Sequence, residues 1–184
     1  MRRIVWACAF VAIAGLLIGG CATAPKSAEG KAELSAKVQT AVDRAKKTDP
    51  GLEKFFKEAA GYAVFPTVGK GAIGVGGAYG KGELYQGGQL AGFCTLTQAT
   101  IGLALGGQAY TELIFFETPA ALDRFKSGNF AFAAQVSAVA LKSGASANAK
   151  FSNGVAVFTM AETGLMYEAS VGGQKFSYQP IQSQ

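Results

Sequence analysis

The chain has 184 residues, 49% of them hydrophobic, and carries 17 Lys+Arg against 12 Asp+Glu for a net charge of +5. It has no histidine and only three cysteines (Cys8, Cys21, Cys94), so the commonest general base and the commonest metal ligand are missing and no Cys/His metal spacing exists. The length fits one domain, and with no Arg/Lys run or exposed-aromatic motif, nucleic acid is not an expected partner.

The chain opens with a leader. Arg2 and Arg3 give a positive start, Ile4 to Ile18 is uncharged and apolar, and Ile18-Gly19-Gly20-Cys21 places two small residues before a cysteine. These are the parts of a secretory signal in their order. The apolar run is shorter than the ~20 residues a membrane span needs. The ending resembles the bacterial lipobox. That resemblance implies cleavage between Gly20 and Cys21, a diacylglycerol thioether on Cys21, and an N-acyl chain of the palmitate kind on the new amino terminus. Two or more such chains make a stable anchor, at about 0.8 kcal/mol per buried methylene. Residues 1–20 are thus expected to leave. Without Arg2 and Arg3 the count becomes 15 basic against 12 acidic residues, a net charge of +3 that favours anionic headgroups mildly. Ala22, where an Asp would argue for inner-membrane retention, points to the outer membrane, periplasmic side.

Residues 21–30 read as the lipidated cysteine and a flexible tether, and 31–184 as a single domain, helical over 31–60 and β-rich over 62–178. Leu34, Val38, Ala41, Val42 and Ala45 recur at the helical period over 31–47. Arg44, Lys46 and Lys47 fall near the C-terminus of that helix, where cations are favoured. Asp49-Pro50 is an N-cap and first-turn pair. Leu52, Phe55, Phe56 and Ala59 form a second apolar stripe, which Gly61 is expected to stop.

Fourteen of the 25 glycines lie between residues 61 and 107, among short apolar segments, and this composition predicts an antiparallel β region. Strands are expected at Tyr62–Phe65 (ended by Pro66), Ala72–Tyr79, Glu83–Gln86, Leu90–Thr97, Ile101–Ala109 and Thr111–Glu117. Glycines inside strands mark bends, bulges or close approach. A helix capped by Thr118, started by Pro119 and ended by Gly128 interrupts them. Strands resume at Phe130–Leu141, a small-residue loop covers 142–153, Val155–Ala161 and Leu165–Val171 form a hairpin around Glu162-Thr163-Gly164, and Lys175–Tyr178 closes the chain.

The fold class is therefore α+β, mainly β: a glycine-rich, strongly curved antiparallel sheet or small barrel, with N-terminal helices packed on it and one helix inserted near 119–127. Cys94 is the one thiol of the folded part and reads as a small buried hydrophobe. Gly69-Lys70-Gly71-Ala72-Ile73-Gly74 matches a dinucleotide fingerprint by letter, but glycine-rich sequence follows where a helix is required. Both Gly-Lys-Gly segments read as tight turns carrying exposed lysines. Glu117 is expected at an exposed strand end. An unpaired buried carboxylate is costly, so Glu112 is expected to be exposed or satisfied.

Ala59-Ala60-Gly61-Tyr62-Ala63-Val64-Phe65-Pro66, Gly71-Ala72-Ile73-Gly74-Val75-Gly76-Gly77 with Gly80-Lys81-Gly82, Ile101 to Glu112, Ala121 to Phe125 with Gly128-Asn129-Phe130, and Gly164 to Val171 follow one another in an order that resembles the SYLF domain. Its bacterial members are lipoproteins; its yeast and animal relatives bind lipid and regulate actin. The resemblance implies a β-rich, barrel-like domain that binds membrane lipids, anionic ones above all, through basic residues and an N-terminal amphipathic segment. Lys46, Lys47, Lys54, Lys57, Lys70 and Lys81 are the candidates for that contact. Actin is not an expected partner of an envelope protein. The expectation is a non-enzymatic, membrane-anchored domain with no cofactor beyond the lipid on Cys21; the alternative is an assembly protein of the envelope that contacts a protein partner. Six of the twelve acids (Glu29, Glu33, Asp43, Asp49, Glu53, Glu58) lie in the helical stretch and the rest are scattered singly, so no catalytic carboxylate pair is proposed.

Overall fold

The computed structural model describes residues 23–184 apart from 74, 102–105, 129, 131–136, 164–172 and 182–184. The expected leader, Cys21 and the expected strand Leu165–Val171 lie outside the described residues. No described helix is long and apolar enough to cross a membrane.

Helix α1 (Ala28–Thr48) starts three residues earlier than the expected helix over 31–47, because the Ser27 hydroxyl caps the Gly30 amide at 3.0 Å. Its start therefore falls inside the stretch read as tether. The buried side is the predicted one: Leu34, Val38, Ala41, Val42 and Ala45. Asp49 caps a 3-10 turn, Pro50–Leu52, by accepting from Gly51 at 3.1 Å, and α2 (Glu53–Glu58) follows. Gly61 does not stop α2, which ends at Glu58; it opens the first strand, where a Cβ would stand 2.7 Å from the Tyr85 carbonyl oxygen.

The strands are β1 (Gly61–Ile73), β2 (Val75–Gln86), β3 (Gln89–Ile101), β4 (Gly106–Phe116), β5 (Val139–Ala140), β6 (Val155–Thr163) and β7 (Gln174–Pro180). Among the described residues most strands run longer than expected, while β5 covers only two residues of the expected Phe130–Leu141, part of which lies outside the described residues. The strands form one curled sheet in the order β5-β6-β4-β1-β2-β3-β7, which among the described residues does not close. Every pairing is antiparallel except β5 with β6, which is parallel, against expectation. Helix α3 (Pro119–Lys126), with Thr118 accepting from Ala121 and Gly128 at φ 73°, is as read.

Pro66 does not end a strand. Lacking an N–H, it is carried in a bulge where β1 shifts register against both β2 and β4, and the strand runs on to Ile73. Nor are the Gly-Lys-Gly segments turns. Both lie within strands, and Gly82 permits close approach: its Cβ would stand 2.4 Å from the Val64 carbonyl oxygen. The β2–β3 hairpin turns instead at Gly87-Gly88, whose φ values of 60° and 78° suit a two-residue loop.

Side chains alternate between two cores. On one face α1 and α2 cover Val64, Phe93, Leu113, Phe115 and Phe158; on the other α3 covers Phe65, Ile114, Phe116 and Phe176. Cys94 is fully buried in the second core, as expected, and burial pushes its thiol pKa up.

Candidate functional site

Side chains fill both faces of the sheet, and the recesses described here open on the surface. Helix α1 lies across the strands like a strap. Near its N-terminus, the Ala24 amide donates to Gln179 Oε1 of β7 at 3.3 Å, and Lys31 Nζ sits 5.6 Å from the centre of the Phe93 ring of β3. Near its C-terminus, Arg44 donates to Thr111 of β4 at 3.0 Å and lies 3.6 Å from Glu162 of β6, while Thr48 meets Met160 of β6. The diagonal follows from an apolar stripe that must stay on the sheet over a helix of about 31 Å.

A trough runs beside α1 at the Pro66 bulge. Two adjoining recesses of about 320 and 370 Å³ share Glu33, Lys37, Pro66 and Thr67; Arg44 and Glu162 extend one, Lys81 the other. The charges are partly cancelled. Lys37 pairs with Glu33 at 2.7 Å, which holds the Glu33 carboxyl below its ordinary pKa. Lys81 is half-buried and makes no ion pair among the described residues. The trough thus presents donors to an anionic or polar group, with acids close enough to exclude a purely cationic character.

The six sequence-predicted lysines do not form one patch. Lys46 and Lys57 share Glu53, at 3.0 and 4.0 Å, and Lys46 also lies 4.5 Å from the centre of the Phe56 ring. Lys54 stacks on Phe55 at 4.8 Å, and Lys47 is exposed at the end of α1. These four gather at the α1–α2 corner. Lys81 stands apart in the trough, and Lys70 lies on the opposite face of the sheet, aligned with Val68.

Sequence reasoning missed Lys37 and Arg44 in the trough, and Lys31 at the edge of the sheet. Closeness to Cys21 was a usable signal for Lys26 and Lys31. None existed for Gln179 and Ile181, which reach α1 only through the fold. Glu112 is neither exposed nor fully satisfied. It is completely buried, Oε2 accepts from Gln174 Nε2 at 2.9 Å, and Oε1 has no partner. Desolvation raises its pKa to about 8, with the Gln174 bond opposing. The fold tolerates the burial by keeping the carboxyl protonated. Glu117 is exposed, as read.

The geometry defines a β-dominated domain strapped by one amphipathic helix, with grooves at the strap lined by charged and apolar side chains and no cluster of three metal-binding side chains among the described residues. Residues 97–180, from β3 to β7, match the Ysc84 family, described as "Las17-binding protein actin regulator". Over residues 97–180 the resemblance read from the motifs is therefore borne out: that stretch is similar to the SYLF (Ysc84) family. It is also similar to Beta cell expansion factor A of Aeromonas veronii, at 28% identity over 162 residues that cover 83% of this chain and 59% of that protein. The chain spans about 59% of the length of that relative.

Proposed function

We propose that this is an acyl-anchored lipoprotein of the bacterial envelope whose SYLF domain works without catalysis at the membrane, binding an anionic lipid surface. The observation that carries the reading is the seat of Ala24 on the sheet. Ala24 is already buried and bonded to Gln179, only three residues after the lipobox cysteine. Three extended residues span at most about 11 Å, so an anchor on Cys21 holds the domain against the headgroups. At that distance effective concentration amplifies a weak headgroup affinity, and Lys81 and Lys37, which line the same recess as Pro25, supply donors of the required sign. The outer membrane, periplasmic side, follows from Ala22 after the cysteine.

The test is fractionation of cells that express the full chain or its Cys21→Ser variant. The wild type is expected in the membrane fraction and to float with vesicles containing phosphatidylglycerol; Cys21→Ser is expected to leave the membrane. Membrane retention of the variant contradicts the anchor, and equal flotation of the purified protein with neutral and anionic vesicles contradicts the electrostatic part.

A second reading is a protein partner in the envelope. The description of the matched family as Las17-binding favours a protein partner in kind. In-cell crosslinking that yields one stoichiometric protein product supports this reading over lipid binding.

A further inference from the structure

We propose that the β7 edge of the domain, the surface around Ala24, Lys31, Phe93 and Ile181, is the face that rests on the phospholipid bilayer holding the anchor. This rests on the anchored reading above and names its contact surface. The chain between Cys21 and Ala24 spans about 11 Å at most, and the exit at Ala24 is fixed by the Gln179 side chain of β7. Helix α1 then carries the chain across to β4 and β6, so Lys46 and Lys47 stand about 29 Å along the helix from Ala28.

Helix α1 is not free to lie in the interface. Its apolar stripe is spent on the sheet, and its outward side mixes signs, with Glu33 on Lys37 and Gln39 on Asp43. The β7 edge has what a lipid interface selects. Ile181 is 46% exposed, one of two large exposed hydrophobics among the described residues. It lines a recess of about 370 Å³ with Leu90, Phe93 and Pro180. Lys31 lines it and is exposed, as is Lys26, two residues after Ala24; these are long side chains whose stems can cover apolar surface while the ammonium groups reach phosphate.

The experiment uses the full chain, purified acylated from its membrane and placed in phosphatidylethanolamine/phosphatidylglycerol vesicles. One fluorophore is attached at Ile181→Cys, or at Lys26→Cys should position 181 prove needed for packing, and is compared with one at Lys57→Cys; Cys94 is buried and does not compete. Nitroxide-headgroup lipids are expected to quench the label at 181 or 26 several-fold more than the label at 57. Equal quenching, or stronger quenching at 57, overturns the assignment. The mass of the N-terminal peptide is read on the same sample. If Cys21 carries no acyl chain, both the assignment and the anchored reading fall; if it is acylated and the quenching pattern is reversed, only the assignment falls.

Discussion

The two faces of the sheet each bury a glutamate, and they treat it differently. Under α1, Glu83 is fully buried, with Oε1 accepting from the Ser35 hydroxyl at 2.6 Å and Oε2 from the Tyr85 hydroxyl at 2.7 Å. On the α3 face, Glu112 has one donor and one empty oxygen, and the Gln174 amide that serves it leaves its own Oε1 unpaired. Both empty atoms are oxygens without a donor, and a proton on Glu112 adds one donor to that face. The lesson is that a buried carboxyl can be satisfied on both oxygens, as Glu83 is, or be left with one oxygen empty and its pKa raised, as Glu112 is.

The comparison can be broken first at the aromatic centre of each face. Phe115, fully buried, meets Phe55, Phe56, Tyr62 and Phe158, while Phe125 meets Phe116, Phe130 and Phe176. Phe115→Ala and Phe125→Ala are each expected to cost about 3–5 kcal/mol, as measured by urea unfolding. A much smaller cost for Phe125→Ala would make the α3 face a shell and not a core.

The second effect is one of pH. Glu112 keeps its proton in the folded state up to about pH 8, whereas an ordinary glutamate loses it near 4.5. Its contribution to stability is therefore complete below about pH 4.5 and declines as the pH rises toward 8, by at most about 1.4 kcal/mol per pH unit. Glu112→Gln, which cannot ionise, is expected to flatten that decline and to be more stable than the wild type at pH 8. An unchanged slope in the variant would place the titration elsewhere.

Ser35→Ala sharpens the contrast from the α1 side. Removing one hydroxyl leaves Glu83 with an empty oxygen, as in Glu112, at a cost of about 1–3 kcal/mol. The smallest expected effect is at Asp49. Burial alone would raise its pKa, but the amides of Ser146, at 2.6 Å, and Gly51, at 3.1 Å, outweigh it and lower the value. Its contribution is present above the ordinary carboxylate range and is lost as the pH falls, the opposite sign to Glu112. Asp49→Asn should cost about 0.5–2 kcal/mol at pH 7 and less at pH 3, in the same unfolding assay.

How far the fold could be read from residues alone follows the same divide between local and long-range causes. The helix stripes, the Asp49 and Thr118 caps and the burial of Cys94 depend on neighbours a few positions away, and periodicity exposed them. Strand lengths depended on what the glycines do. Gly80 and Gly82 read as turns because glycine permits them, yet the fold uses them where Val68, Val64 and Phe65 press against β2. Pro66 read as a stop because it removes a donor, yet a bulge absorbed the loss. The parallel β5–β6 pair, the Glu112–Gln174 contact and the seat of Ala24 on Gln179 join residues 19 to 155 positions apart, and no local pattern encodes them. The six lysines are candidates by their charge; the diagonal path of α1 separates those at the α1–α2 corner from the N-terminal end of the helix.

Intact-mass analysis of the mature N-terminal peptide decides whether the proposed anchor on Cys21 exists. The expected peptide begins at Cys21 and carries the added mass of a diacylglycerol and one further acyl group. A chain that begins at any other residue, or a Cys21 with a free thiol, would contradict the anchor.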